Sequence, residues 1–115
     1  MKIKSALLPA FIIIVSSISQ SHAAEKRCGW FHNPTPSNAW LIDRDAEWII
    51  SYQGGHQAEG NWPEFTDSQW IKTNIHYGYG CACITAEVDH KTRYVKRILK
   101  ANALDLSVCR KDKMY

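Results

Sequence analysis

The sequence predicts a mainly β protein: a small antiparallel sheet in one disulfide-stapled domain, with an α+β variant carrying one short helix as the alternative. Three observations lead there. Four cysteines, Cys28, Cys81, Cys83 and Cys109, all follow an apolar leader. The run Tyr79–Val88 alternates strictly, with Ala82, Ile84, Ala86 and Val88 on one side and Tyr79, Cys81, Cys83, Thr85 and Glu87 on the other, which is the period of a strand buried on one face. Turn-forming residues, Gly54-Gly55 and Asp89–Thr92, separate segments rich in β-formers.

In chain order, the first segment is a leader. Lys2 and Lys4 precede an apolar stretch from Ala6 to Ile18, and Ser21-His22-Ala23 places small residues where a signal peptidase reads. The stretch falls short of the ~20 residues of a membrane span and fits a Sec-type signal peptide over 1–23, cleaved after Ala23. Residues 24–115 then form the mature domain, periplasmic or secreted, with no transmembrane segment. Trp30 to Arg44 reads as an extended surface loop, because Pro34 and Pro36 remove backbone donors and fix φ. Glu47–Gln53 is a strand, Gly54-Gly55 a two-residue loop, and His56-Gln57-Ala58 the start of the return. Ser68–Thr73 is a second short strand, and Tyr79–Val88 the clearest one. Arg93–Ala101 is its hairpin partner; a helix over 92–101 is the alternative, since Tyr94/Ile98 and Val95/Leu99 are i,i+4 pairs. Leu104–Cys109 returns the chain to the sheet.

A domain of this length buries about 60–65% of its unfolded surface and is marginal alone. Two disulfides, typically ~2–4 kcal/mol each, supply what the core lacks. Cys81 and Cys83 on one strand would have Cα atoms ~6.7 Å apart, at the limit for a bridge. Each is therefore expected to pair with a distant partner. The preference is Cys28–Cys81 with Cys83–Cys109, the crossed pairing being the open alternative.

The chain has 14 basic and 11 acidic residues. Without Lys2 and Lys4 the balance is 12 to 11, a net of +1, which gives no reason to expect nucleic acid. The charge is uneven. Glu25–Asp89 holds four basic and nine acidic residues, while His90–Tyr115 holds eight basic and two acidic. This cationic strip complements the acidic remainder or meets an anionic partner.

The run Cys28-Gly29-Trp30-Phe31, then Asn33-Pro34-Thr35-Pro36, Trp40-Leu41, Asp43-Arg44-Asp45 and Glu47-Trp48, resembles a proteobacterial family of small exported proteins, domain-of-unknown-function family 4087. Gln53-Gly54-Gly55, Trp62-Pro63, Trp70, Tyr77-Gly78-Tyr79-Gly80-Cys81-Ala82-Cys83 and Cys109-Arg110 extend the resemblance over nearly all of the mature chain. It implies an exported single domain with these four cysteines and no particular activity. Ala46 and Ile75 stand where the family pattern has glycine, which implies less backbone freedom at two turns.

Five tryptophans, Trp30, Trp40, Trp48, Trp62 and Trp70, lie within 41 residues. Trp48 and Trp70, on strands, are expected in the core; Trp40 and Trp62, beside loops, at the surface. With Asn33, Pro34, Pro36, Asp43, Arg44 and Asp45, these last two make the candidate binding surface. Asp43-Arg44-Asp45 reads first as an Arg–carboxylate staple. As a hydrolase, Asp43, Asp45 or Glu47 would act, the two aspartates lying about 7 Å apart if extended. Cys81 and Cys83 with His56 or His76 would suit a metal or redox centre, but an oxidising compartment favours disulfides. No cofactor and no resident metal are therefore expected. The sequence reads as a monomeric, non-catalytic envelope domain that binds another envelope protein or a glycan, a wall-hydrolase inhibitor or immunity-type protein being a specific version.

Overall fold

A computed structural model describes residues 23–112, with Ala10 and Ile12 besides. Apart from Ala10, Ile12 and Ala23, the expected signal segment lies outside the described residues. Six strands form one antiparallel sheet: β1 (Glu25–Thr35), β2 (Asn38–Ile42), β3 (Glu47–Ser51), β4 (Trp70–Asn74), β5 (Tyr77–Val88) and β6 (Val95–Leu104), followed by a short helix α1 (Leu106–Lys111). A single 3₁₀ turn, Asp67–Gln69, leads into β4. No described helix is long and apolar enough to cross a membrane.

β5 organises the sheet. One of its edges pairs with β1 from Glu25↔Ala86 to Asn33↔Gly78. Its other edge is shared: β4 takes Tyr77–Gly80 and β6 takes Cys81–Val88. The order β3-β2-β1-β5-β4, with β6 also on β5, curls until the outer strands touch. Ile49 of β3 meets Tyr94 in an isolated parallel bridge, and the Ile49 N–H donates to Arg93 O at 2.8 Å.

The alternation predicted for β5 is the alternation observed. Ala82, Ile84, Ala86 and Val88 point into a core with Phe31, Leu41, Trp48, Ile50, Val95 and Ile98. Segment 92–101 is mostly strand rather than helix, because β5 supplies the ladder that its β-branched residues need. The turn at Gly54-Gly55 is a three-residue loop rather than the expected two-residue one: the Tyr52 N–H donates to His56 O at 2.8 Å and the Gly55 N–H to Tyr52 O at 3.0 Å, so Gln53 turns with the two glycines. The return makes only an isolated bridge, Ser51↔Gln57, before departing.

Three further expectations are corrected. Residues 30–44 are not a loop: β1 and β2 run through them, and β1 is central. Pro34 falls in a bulge between His32 and Thr35, where no β2 ladder bond is lost. Pro36-Ser37 forms the two-residue turn, with Ser37 at φ 61, a pairing of fixed and positive φ that a tight turn accepts. Leu104–Cys109 does not rejoin the sheet as a strand. It turns into α1, which lays Cys109 on the outer face of β5. The preferred disulfide pairing is also replaced. Cys28 stands directly opposite Cys83 in the β1–β5 register, with Cα atoms 4.0 Å apart, and the two are bonded. Cys109 bonds Cys81, Cα to Cα 5.8 Å.

The tryptophans divide differently from expectation. Trp48 is fully buried. Its ring lies beneath the Arg27 guanidinium at 4.5 Å and near that of Arg93 at 5.3 Å, and its Nε1 has no partner among the described residues. Trp70 is half-buried against the core, and so is Trp62, expected at the surface.

Candidate functional site

The period of two along β1 puts Gly29 and Phe31 inward and Cys28, Trp30 and His32 outward. On the outer face the register builds one rung across five strands. His32 lies opposite Trp40 on one side and Tyr79 on the other; Trp40 lies opposite Ile49, and Tyr79 opposite Ile71. The His32 ring stacks beside Trp40 at 6.3 Å and beside Tyr79 at 5.5 Å, with interplanar angles of 21° and 24°. Trp30 meets Tyr79 edge-on at 5.5 Å. All four rings are half-buried. His32 thus has Trp40 and Tyr79 near-parallel on either side of it, while Trp30 is set across Tyr79 at 76°. Burial among these rings holds the His32 imidazole below its ordinary pKa, an effect the Glu47 carboxylate opposes. Neutral, His32 has one ring N–H and one acceptor nitrogen to present.

The residues expected to form one surface occupy three places. Trp40 belongs to this outer row. Trp62 lies on the inner face against Phe31, centroids 5.8 Å apart, in a cluster that Phe65 and Trp70 complete at 4.8 Å from each other. That cluster lines a groove of about 370 Å³ that also includes Asn33 and His76. Asn33 serves its own hairpin, donating from Nδ2 to Asn38 O at 2.7 Å and Thr35 O at 3.0 Å. Pro34 is half-buried in the bulge, and Pro36 is exposed at the turn.

Asp43, Arg44 and Asp45 sit together at the far end of β2, where the two carboxylates hold the turn and the Arg27 guanidinium. One Asp43 carboxylate oxygen accepts the N–H groups of Asp45 and Ala46, each at 2.9 Å, closing the β2–β3 turn. The guanidinium of the expected staple belongs to Arg27, not to the exposed Arg44. Arg27 donates to Asp45 Oδ2 at 2.7 Å, to Asp43 Oδ2 at 3.4 Å and to Glu25 Oε2 at 2.7 Å. With Asp43 committed to two amides and a guanidinium, the pair is poorly placed for general acid–base work. All four cysteine sulfurs are in disulfides, which leaves no thiolate for a metal. Among the described residues no cluster of three histidine, cysteine or acidic side chains could hold an ion.

Trp30, His32 and Tyr79 were not singled out from sequence. The signal that could have found them is the Cys28-x-Trp30-x-His32 alternation, which Pro34 and Pro36 obscure by suggesting a loop.

The match of the sequence to a known family covers residues 22–115, thus the whole sheet, both disulfides and the aromatic row. The chain belongs to the family described as Protein of unknown function (DUF4087). In this DUF4087 domain the Gly78 and Gly80 of the Tyr-Gly-Tyr-Gly-Cys run face inward. A Cβ on Gly80 would come within 2.6 Å of the Phe65 ring, so the motif's glycine seats the inner aromatic cluster. Its tyrosine at 79 builds the outer row. No curated protein and no solved structure matches the chain.

Proposed function

We propose that this DUF4087 domain is a small, non-catalytic recognition domain of the bacterial envelope, acting outside the cytoplasm. Its contact surface is the outer row Trp30–Tyr79–His32–Trp40. The observation that carries the reading is the placement of four touching aromatic side chains on the face opposite the core. Trp and Tyr are the side chains that dominate contact energetics in protein recognition. Two disulfides are consistent with an oxidising compartment. The ligand is an envelope protein or a glycan, and rings stacked against one another, with His32 between Trp40 and Tyr79, favour the protein. A wall hydrolase blocked by this surface is the specific version.

Binding to peptidoglycan fragments and to envelope proteins, compared for wild type and Trp40→Ala, tests the reading. Trp40→Ala is expected to shift the melting temperature by only a few degrees, about 1 kcal/mol, while weakening capture of the partner. A large loss of stability with unchanged capture would make Trp40 a packing residue and remove the surface. Retention on peptidoglycan, lost in the variant, would select the glycan.

A further inference from the structure

β6 has one edge on β5 and one edge only partly covered. The cover is the chain's own return segment. The Glu59 N–H donates to Lys96 O at 3.0 Å, and the Ile98 N–H donates to Glu59 O at 2.7 Å, in a parallel bridge of Glu59 with Arg97. At Gly60 this cover ends. Its φ is +98°, and a Cβ there would lie 2.1 Å from Ile98 O, so only glycine both approaches β6 this closely and turns away. Beyond it, no backbone hydrogen bond outside the β5 ladder reaches Leu99–Ala103 among the described residues. A cleft of about 560 Å³ runs beside this stretch, bounded on the far side by Asn61, Trp62, Glu64 and Gln69. That volume lies within the ~300–1,000 Å³ of ligand clefts. Leu99, at a bulge of β6, is 52% exposed.

The two faces of β6 differ in chemistry. Lys100 and Asn102 lie opposite Thr85 and Cys83, on the outer face; Ala101 and Ala103 lie opposite Ile84 and Ala82, on the inner face. Between His90 and Leu104 the chain has five cationic side chains and no acidic one. Arg97 is bonded to Glu87 at 2.8 Å, and Lys96 and Lys100 are exposed. Lysines along an open edge oppose pairing with a second copy of the same strand, which would set like charges side by side. The same lysines attract carboxylates. Glu64, on the far wall, disfavours an acid pointing inward.

We propose that the β6 edge beyond Ile98 accepts an extended segment of a partner protein as an added strand, with acidic side chains on its outer face and small apolar ones on its inner face. The added strand continues the line that residues 57–60 begin, and its backbone pairs with the groups that Gly60 leaves uncovered. This surface is separate from the aromatic row and stands whether or not that row binds.

The probe is a capped octapeptide of alternating glutamate and valine, titrated into the isotopically labelled protein. A lysine–valine peptide serves as the charge control, and a glutamate–valine peptide N-methylated at alternate residues as the backbone control. The expected result is slowed amide exchange confined to Leu99–Ala103 with the acidic peptide. Both controls, and the acidic peptide on Lys96→Glu/Lys100→Glu, are expected to bind about tenfold or more weakly, the equivalent of losing one or two hydrogen bonds. Equal binding by the N-methylated peptide would reduce the contact to charge adhesion and overturn strand addition. Equal binding by the lysine peptide, protection elsewhere, no binding at millimolar peptide, or a dimer of the free protein sealed through β6 would overturn it too.

Discussion

Ile75 stands at the tip of the β4–β5 turn with φ 56 and its side chain 80% exposed. A β-branched residue in the left-handed region is strained by about 1–2 kcal/mol, and nothing is packed against this one in return. Ile75→Gly is expected to raise stability by roughly 1 kcal/mol after glycine's own entropy is set against the relieved strain, read as a higher urea midpoint with an unchanged slope. A lower midpoint would mean that the isoleucine makes contacts that offset its backbone. Ala46, by contrast, has no positive φ. Its N–H is held by Asp43 instead, so it requires no special backbone.

The legible parts of the chain were those whose local signals agree with their tertiary role. β5 announces itself because a one-sided strand of small and branched residues has a period that nothing else imitates. β1 hides because Pro34 argues locally against a strand; the bulge that accommodates it depends on β2, a partner outside the local window. α1 hides for another reason. It has six residues, too few to nucleate in water, and its N-cap Asp105 makes no side-chain cap bond. The Cys81–Cys109 bond holds it. Replacing both cysteines by alanine is expected to free α1 while β1–β6 remain paired: a loss of about 2–4 kcal/mol, retained β-type circular dichroism, and new protease cleavage after Arg110 or Lys111. Simultaneous loss of the β signal would show that the helix staples the entire sheet.

Two titrating groups give the fold a common direction of pH response. Hydrogen bonding from His90 lowers the Glu25 pKa; burial opposes this, and Arg27 adds to it. Burial lowers that of His32. For His32 the unfolded chain takes the proton first, so its contribution is complete above the ordinary value of 6.5 and is lost as pH falls below it. For Glu25 the folded state keeps the charge to lower pH, so its contribution is complete above 4.5 and is lost below that. Stability is therefore expected to decline on acidification in two stages. His32→Gln should flatten the upper stage, seen in urea midpoints between pH 7.5 and 5. An unchanged slope in that variant would assign the upper stage elsewhere. The candidate site was the least legible feature for the same reason that the fold was partly hidden: the row Trp40–His32–Tyr79 joins residues from three strands, and only the register of β1 against both neighbours puts them side by side.

The two disulfides interleave. Cys28 belongs to Cys83 and Cys81 to Cys109, so the loops they close overlap along the chain. A polypeptide that appears N-terminus first shows Cys28 alone, and the next thiol to arrive is Cys81, which is not its mate. Oxidation in order of arrival makes the wrong pair and strands the other two. What selects the right one is the β1–β5 register, which sets Cys28 across from Cys83 and turns Cys81 toward a helix not yet made. The covalent pattern is thus a consequence of the sheet and not its guide, and a cell making this domain benefits from a catalyst that breaks disulfides as readily as it forms them.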